Sequence, residues 1–322
     1  MDSLFNEVIC LYNLGNLIDN PIQNKIGITN KIYELNTTSG KYILKILSNK
    51  DINKIEKTEE LSDYVYNNGI NALGAIKLNN KYVNTINGEN VVLYPYYDGK
   101  ILLTKELTLE HIRKLANSLA KLHSLKVIDS YSNTKYTKND YKKLYELSLD
   151  SDNECFIFFK ENIDKLINIY DKVYDCYTKL SNQKSYVHRD FNRKNVLWKD
   201  NEFRIIDWET ATIDNPSIDF FNSIWFLSND FEEDKSRVFI DEYFSIMKLE
   251  DNYNIGVYAA LIEECNWLYF SLNRALRLIT NNEYEVKLGE DSIKSSLKEI
   301  INYYDKIELI LKYLNEKTSS KN

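Results

Sequence analysis

The stretch from Tyr186 to Glu209, YVHRDFNRKNVLWKDNEFRIIDWE, constrains this chain more than any other. Two short apolar runs, Val196 to Trp198 and Phe203 to Ile206, flank the turn signal Lys199-Asp200-Asn201-Glu202 and so predict a β-hairpin. The polar segment that begins His188-Arg189-Asp190 and ends at Asn195 leads into the hairpin, and Asp207 stands at its exit. A carboxylate, an amide and a second carboxylate are thereby carried toward one point by a rigid scaffold.

Such a set suits phosphoryl transfer from a nucleotide. The reaction needs a carboxylate to orient and deprotonate an attacking hydroxyl. It also needs oxygen ligands for magnesium, which takes few protein ligands and completes its shell with substrate phosphates. Asp190 is the expected base, with Asn195 and Asp207 the expected magnesium ligands. A His-x-Asp followed by Asn also occurs in plain polar loops; Ile205-Ile206-Asp207-Trp208-Glu209 at hairpin distance tips the balance toward chemistry.

These residues resemble the catalytic loop and metal-binding segment of the protein-kinase-like fold, in the version carried by aminoglycoside phosphotransferases, choline kinases and spore-coat kinase-like proteins. Where protein kinases have Asp-Phe-Gly, this chain has Asp207-Trp208-Glu209, and only a short stretch separates Asp207 from Pro216-Ser217-Ile218-Asp219. That leaves no room for a phosphorylated activation loop, and Ala-Pro-Glu is missing, which favours a small-molecule kinase over a protein kinase. The resemblance implies that Asp219 braces the catalytic loop, a role compatible with its being an acid at a helix N-terminus. His188 is likewise expected to brace the loop. Arg189, Arg193 and Lys194 either stabilise charge on the transferred group or face solvent.

Upstream, Leu4, Phe5, Val8, Ile9 and Tyr12 predict a short amphipathic helix ended by Gly15. Ile22 to Ile26, Ile32 to Thr37 and Tyr42 to Leu47 predict three antiparallel strands. Between the first two lies Lys25-Ile26-Gly27-Ile28-Thr29-Asn30-Lys31, where the kinase-like fold places its phosphate-covering loop. Gly27 would permit close backbone approach, with Thr29 and Asn30 as donors; a plain hairpin turn is the competing reading. On a period of two, Lys45 shares a face with Ile43 and Leu47, where a cation needs a partner unless an edge position lets it reach water. In the resembled fold this lysine holds nucleotide phosphates and pairs with a glutamate of the next helix. That helix is expected at Asp51 to Asn67, with Glu59 the preferred partner and Glu56 and Glu60 as alternatives.

Extended segments at Asn71 to Leu78 and Lys81 to Ile86, a turn at Asn87-Gly88-Glu89-Asn90 and a strand at Val91 to Tyr97 follow. Leu93-Tyr94-Pro95-Tyr96-Tyr97-Asp98-Gly99 resembles the hinge between the lobes, implying adenine contacts around Tyr94 and Tyr96 and a lobe boundary at residues 97/98. Beyond it, helices are expected at Thr108 to Leu125, Tyr141 to Leu149, Phe156 to Leu180, Ser217 to Leu227, Phe231 to Met247, Tyr253 to Ile279 and Ser292 to Leu314. In the first of these His123 is expected to be a core or capping residue. Leu261, Glu264 and Leu268 share a stripe, so Glu264 is expected to face inward, with Trp267 nearby as a surface for a cation. Pairing of Glu264 with Arg274 or Arg277 is the competing reading.

The 322 residues suffice for a substantial core. A formal net charge of -7 argues against a nucleic-acid backbone as partner and suits a cationic or neutral ligand. Cys10, Cys155, Cys176 and Cys265 are scattered without a CxxC or Cys/His cluster, so neither a zinc site nor a disulfide framework is suggested and free thiols in a reducing cytoplasm are the simple reading. With neither a signal peptide nor a membrane-spanning apolar run, a soluble, cytoplasmic protein is expected. The expected fold is α+β: a small antiparallel-sheet N-terminal lobe, residues 1–97, for the nucleotide, and a larger, mostly helical C-terminal lobe, residues 98–322, for catalysis and substrate. The resemblance, which spans Lys25 to Trp225, implies a magnesium-dependent phosphotransferase using ATP, with GTP open, on a hydroxyl of an amine-bearing small molecule. The alternative is a kinase scaffold retired to a structural or binding role. The oligomeric state is not fixed by the sequence.

Overall fold

The computed structural model describes residues 2–24, 30–48, 51–128 and 135–319. They gather into two compact units, residues 1–103 with 192–211, and residues 104–191 with 212–322. The first begins with α1 (Asp2–Leu11), β1 (Ile22–Asn24), β2 (Lys31–Thr37), β3 (Gly40–Ile46), α2 (Ile52–Asn67), β4 (Asn84–Ile86) and β5 (Glu89–Pro95). Its five strands form one antiparallel sheet in the order β1-β2-β3-β5-β4. The turn between β4 and β5 is Asn87-Gly88, both at positive φ, the conformation a two-residue hairpin demands.

Strand alternation sorts the side chains into two layers. Leu35, Leu44, Ile46 and Leu93 pack with Leu4, Phe5 and Val8 of α1. Leu47 and Val92 pack instead with Ile55 of α2. Lys45 lies opposite Ile32 and Val92 in the register, so it stands on the α2 side of the sheet. Asp51 caps α2 by accepting from the Lys54 amide at 3.1 Å.

In the second unit come α3 (Leu109–Ser124), α4 (Tyr141–Ser148), α5 (Glu154–Glu161), α6 (Ile163–Thr178) and β6 (Ser185–Val187). The chain then contributes the hairpin β7 (Val196–Lys199) and β8 (Glu202–Ile205) to the first unit. There Ile205 exchanges backbone hydrogen bonds with Asn71 and Leu73 at 2.7 and 2.9 Å, and Trp198 bridges Lys100. It returns through β9 (Thr212–Asp214), which pairs antiparallel with β6, into α7 (Pro216–Leu227), α8 (Glu233–Ile246), α9 (Tyr253–Ala260), α10 (Ile262–Ala275) and α11 (Glu283–Ser319).

Three expected helix boundaries need correction. The helix expected over Phe156 to Leu180 is two, broken at Asn162, whose amide donates to the Phe158 carbonyl at 2.9 Å and so competes with the helical ladder. The one expected over Tyr253 to Ile279 breaks at Leu261 and ends at Ala275, where Arg277 turns left-handed and the Arg277 and Leu278 amides close back on Arg274 and Asn273. The last helix starts earlier than Ser292, because Asn282 accepts from the Tyr284 and Glu285 amides. Among the described residues no helix is long and apolar enough to cross a membrane, and the four cysteines are free thiols.

Candidate active site

In the first unit the structure brings Lys45 to Asp207. The lysine Nζ lies 3.1 Å from Asp207 Oδ1 and is also ion-paired with Glu209. Burial pushes the Lys45 ammonium down, but Asp207 and then Glu209 outweigh it, so the group is held charged, above its ordinary value. Glu209 is fixed in turn by the Asn30 amide, at 3.0 and 3.2 Å to its two oxygens, and Asn30 Oδ1 accepts from the Ser48 amide at 3.0 Å. Gly27 and Thr29, the other residues of the expected phosphate loop, lie outside the described residues.

The hairpin explains how Asn195 and Asp207 come together. The Ile206 amide donates to the Asn195 carbonyl at 2.9 Å, so the two residues leave adjacent backbone positions at the open end of β7 and β8. Asn195 is buried, while the Asp207 side chain is 45% exposed, with its backbone in the left-handed region at φ 63° that Asp tolerates. An amide oxygen and a half-exposed carboxylate are the hard donors magnesium prefers. Among the described residues no cluster of three His, Cys, Asp or Glu could hold a metal by protein ligands alone. A metal here would therefore draw on phosphate and water oxygens.

Glu59 faces the same layer but has a different partner from the expected one. Its Oε1 takes the hydroxyl of Tyr94, whereas Oε2 is buried with no hydrogen-bond partner among the described residues. Burial pushes its carboxyl up to about 7, against the Tyr94 hydrogen bond and the attraction of Lys45. Glu56, the first alternative, is committed to the Tyr82 and Val83 amides, and Glu60 is exposed. Sequence reasoning thus missed Glu209, although Asp207-Trp208-Glu209 carried the signal. In the expected hinge, Tyr94 pairs with Ile43 in the sheet and the Tyr96 amide donates to the Lys41 carbonyl at 3.1 Å.

In the second unit, His188, Arg189 and Asp190 follow β6 directly, and Asp219 sits in the first turn of α7, which follows the paired strand β9. Asp219 accepts the His188 amide at 2.7 Å and the Arg189 amide at 3.1 Å. Its Oδ2 is 3.2 Å from His123 Nε2, and His123 Nδ1 is 2.7 Å from the Tyr243 hydroxyl. Burial pushes the Asp219 carboxyl up, yet His123 and His188 outweigh it and hold it below the usual range. His188 is buried, its Nδ1 accepting from the half-buried Asp190's own amide at 3.3 Å.

Arg189 is the strained member of this turn, at φ 65°, a region that sterics deny a long side chain unless it is held there. Its Nε donates to Glu263 Oε1 at 2.6 Å, and its guanidinium lies 5.2 Å from the centre of the Tyr136 ring. Burial pushes the Glu263 carboxyl up to about 7 although Arg189 opposes the change, and Asp219 and Asp214 add to the push. The sequence singled out Glu264 instead. Glu264 is half-buried and Trp267 is 40% exposed, while Arg277 pairs with Glu283 and Arg274 lies over Phe270.

With this geometry in place, comparison with known proteins gives one family. Residues 22–250 match the family described as the phosphotransferase enzyme family. No curated protein matches the chain. Among solved structures, a spectinomycin phosphotransferase in complex with ADP and spectinomycin is similar with a TM-score of 0.75 at 17% identity, over 94% of this chain and 98% of that one. An amicoumacin kinase in complex with AMP-PNP and calcium gives 0.59 at 16% identity, over 90% and 93%. The ethanolamine kinase of Plasmodium vivax gives 0.58 at 15% identity, over 86% and 81%. At these identities the likeness is one of fold.

Proposed function

The chain belongs to the phosphotransferase enzyme family, and from that premise we propose that it transfers the terminal phosphoryl group of ATP to a hydroxyl of a small, amine-bearing molecule. The observation that carries this reading is the ion pair of Lys45 with Asp207, 162 residues apart in the chain and 3.1 Å apart in space. In the proposed reaction the acceptor oxygen bonds to the γ-phosphorus, the bond from that phosphorus to ADP breaks, and the hydroxyl proton passes to the Asp190 carboxylate. Lys45 reaches the non-transferred phosphates. Asn195 and Asp207 would hold magnesium, which when bound neutralises charge on the phosphate oxygens. Asp219 and His188 keep the turn bearing Asp190 in place, so catalysis rests on positioning and fixed charge.

The acceptor class is supported by the net charge of -7 and by Glu264 and the exposed face of Trp267 on α10. It is supported too by the neighbours named for spectinomycin and ethanolamine, and by a choline kinase of Cryptosporidium parvum that is similar with a TM-score of 0.55 at 17% identity. The test is a phosphorylation panel of these three compounds and an uncharged sugar, each with ATP or GTP, with magnesium or excess chelator. Transfer to an amine-bearing compound that needs magnesium is expected. An absence of transfer to every acceptor with either nucleotide refutes the proposal.

A further inference from the structure

We propose that Glu263 is a positioning residue for the transfer step: acting through Arg189, it holds the left-handed turn that carries Asp190. The inference rests on the reading of Asp190 as the base. The turn is gripped twice. Asp219 takes the backbone amides of His188 and Arg189, while Glu263, from α10, takes the Arg189 side chain at 2.6 Å.

Glu263 is itself immobilised. Its second oxygen accepts from the Asn222 amide of α7 at 2.9 Å, and Asn222 also donates to the Ala260 carbonyl at 3.2 Å. Arg189 is the cation facing three carboxylates, Glu263, Asp214 and Asp219, with Tyr177 of α6 and the Tyr136 ring nearby. A surface ion pair would be free to drift; here the side chains of Arg189 and Glu263 are only 20% and 16% exposed. Because a non-glycine residue at φ 65° reverts to the extended or right-handed region when released, freeing the Arg189 side chain should let the turn relax and misplace the next residue, Asp190. Helix α10 is thereby tied to the base through a single ion pair.

The experiment uses the full chain with ATP, magnesium and whichever of spectinomycin, ethanolamine and choline it phosphorylates. It compares Glu263→Met, Arg189→Met and the double variant in melting temperature, kcat and KM. Each single change leaves one member of the buried pair without the other and should lower the melting temperature, much of which the double change should restore. With Glu263 as a positioning residue, kcat in the double variant stays about 10- to 100-fold down despite the recovered stability, and both KM values stay within about threefold. A double variant that regains both melting temperature and kcat makes the pair purely structural and overturns the proposal. A raised acceptor KM at unchanged kcat makes Glu263 a substrate contact and overturns it equally.

If the single variants fail to fold, the double variant still removes the tie between Arg189 and Glu263 without leaving either side chain facing an absent partner. Hydrogen exchange of the segment spanning residues 186–191 should then be faster than in the wild type, and unchanged exchange overturns the proposal. A chain inactive on all three acceptors counts against the acceptor class proposed above, and this exchange measurement then decides the role of Glu263 by itself.

Discussion

Replacing Glu59 by glutamine measures what it costs to keep a carboxylate behind the lysine strand. Burial moves this carboxyl from 4.5 to about 7, even with the Tyr94 hydroxyl on one oxygen and Lys45 nearby. The folded chain therefore retains a proton over a range in which the unfolded chain has released it. Stability from this group is fully present below pH 4.5 and is lost as pH rises through about 7. At roughly 1.4 kcal/mol per tenfold change in proton affinity, the loss is about 3 kcal/mol, with the attraction of Lys45 already included. Most of it falls between pH 5 and pH 8. Glutamine is neutral throughout and can still accept the Tyr94 hydroxyl, so Glu59→Gln should match the wild type closely near pH 5 and exceed its stability near pH 8. Urea unfolding of both proteins at the two pH values gives the difference directly. A stability difference that does not change with pH, or a variant weaker at pH 8, would refute the reasoning and return Glu59 to the role of charged partner for Lys45.

If Asn195 and Asp207 hold magnesium on the phosphates, ATP at one hundred times its Kd should stabilise the chain by roughly 2.7 kcal/mol with magnesium. In a thermal shift assay, excess chelator should remove most of that gain. Asp190→Asn should leave nucleotide affinity near wild type and lower turnover about 10²- to 10⁴-fold, whereas Asp207→Asn should weaken magnesium-nucleotide binding as well; identical binding in the two variants would mean the roles are misassigned. His188 and Arg189 donate to different oxygens of Asp219, so Asp219→Asn sets its amide NH2 against one of these backbone donors and should cost about 1–3 kcal/mol for the donor left unmet, read by urea unfolding. Glu264→Gln should raise the acceptor KM with little change for ATP, and an anionic or uncharged sugar as best acceptor would sink the amine-bearing class.

Much of the scaffold was legible because its signals are local. The hairpin announced itself by turn residues between two apolar runs, and β3 by an alternation that put Lys45 on one face with Ile43 and Leu47, the face that the structure turns toward α2. The partner of Lys45 was not legible. Alternation shows that a buried cation needs a carboxylate, but several acids could serve. Glu59 is buried in the expected helix, yet its oxygen went to Tyr94, and Glu209 reached the lysine from 164 positions away. Which acid wins depends on how the segment after β8 folds, and that is a tertiary fact.

On the helix expected to face the substrate, the sequence pointed to Glu264 and not to its neighbour Glu263. Counting from Leu261 put Glu264 between Leu261 and Leu268, and both leucines are buried, in a register that α10 keeps from its first hydrogen bond, the Cys265 amide to the Leu261 carbonyl at 3.0 Å. The stripe that is buried is Ile262, Cys265, Leu268, Leu272 and Ala275, which leaves Glu264 beside the seam. Glu263 is held on a different basis, because a charged side chain can be carried inward only where its counter-charge already waits. Arg189 supplies the counter-charge for Glu263 and Asn222 a hydrogen bond to its other oxygen, and both come from segments remote in sequence. An acid off the apolar stripe is therefore the one tied to the turn before Asp190, a selection that helical periodicity cannot make.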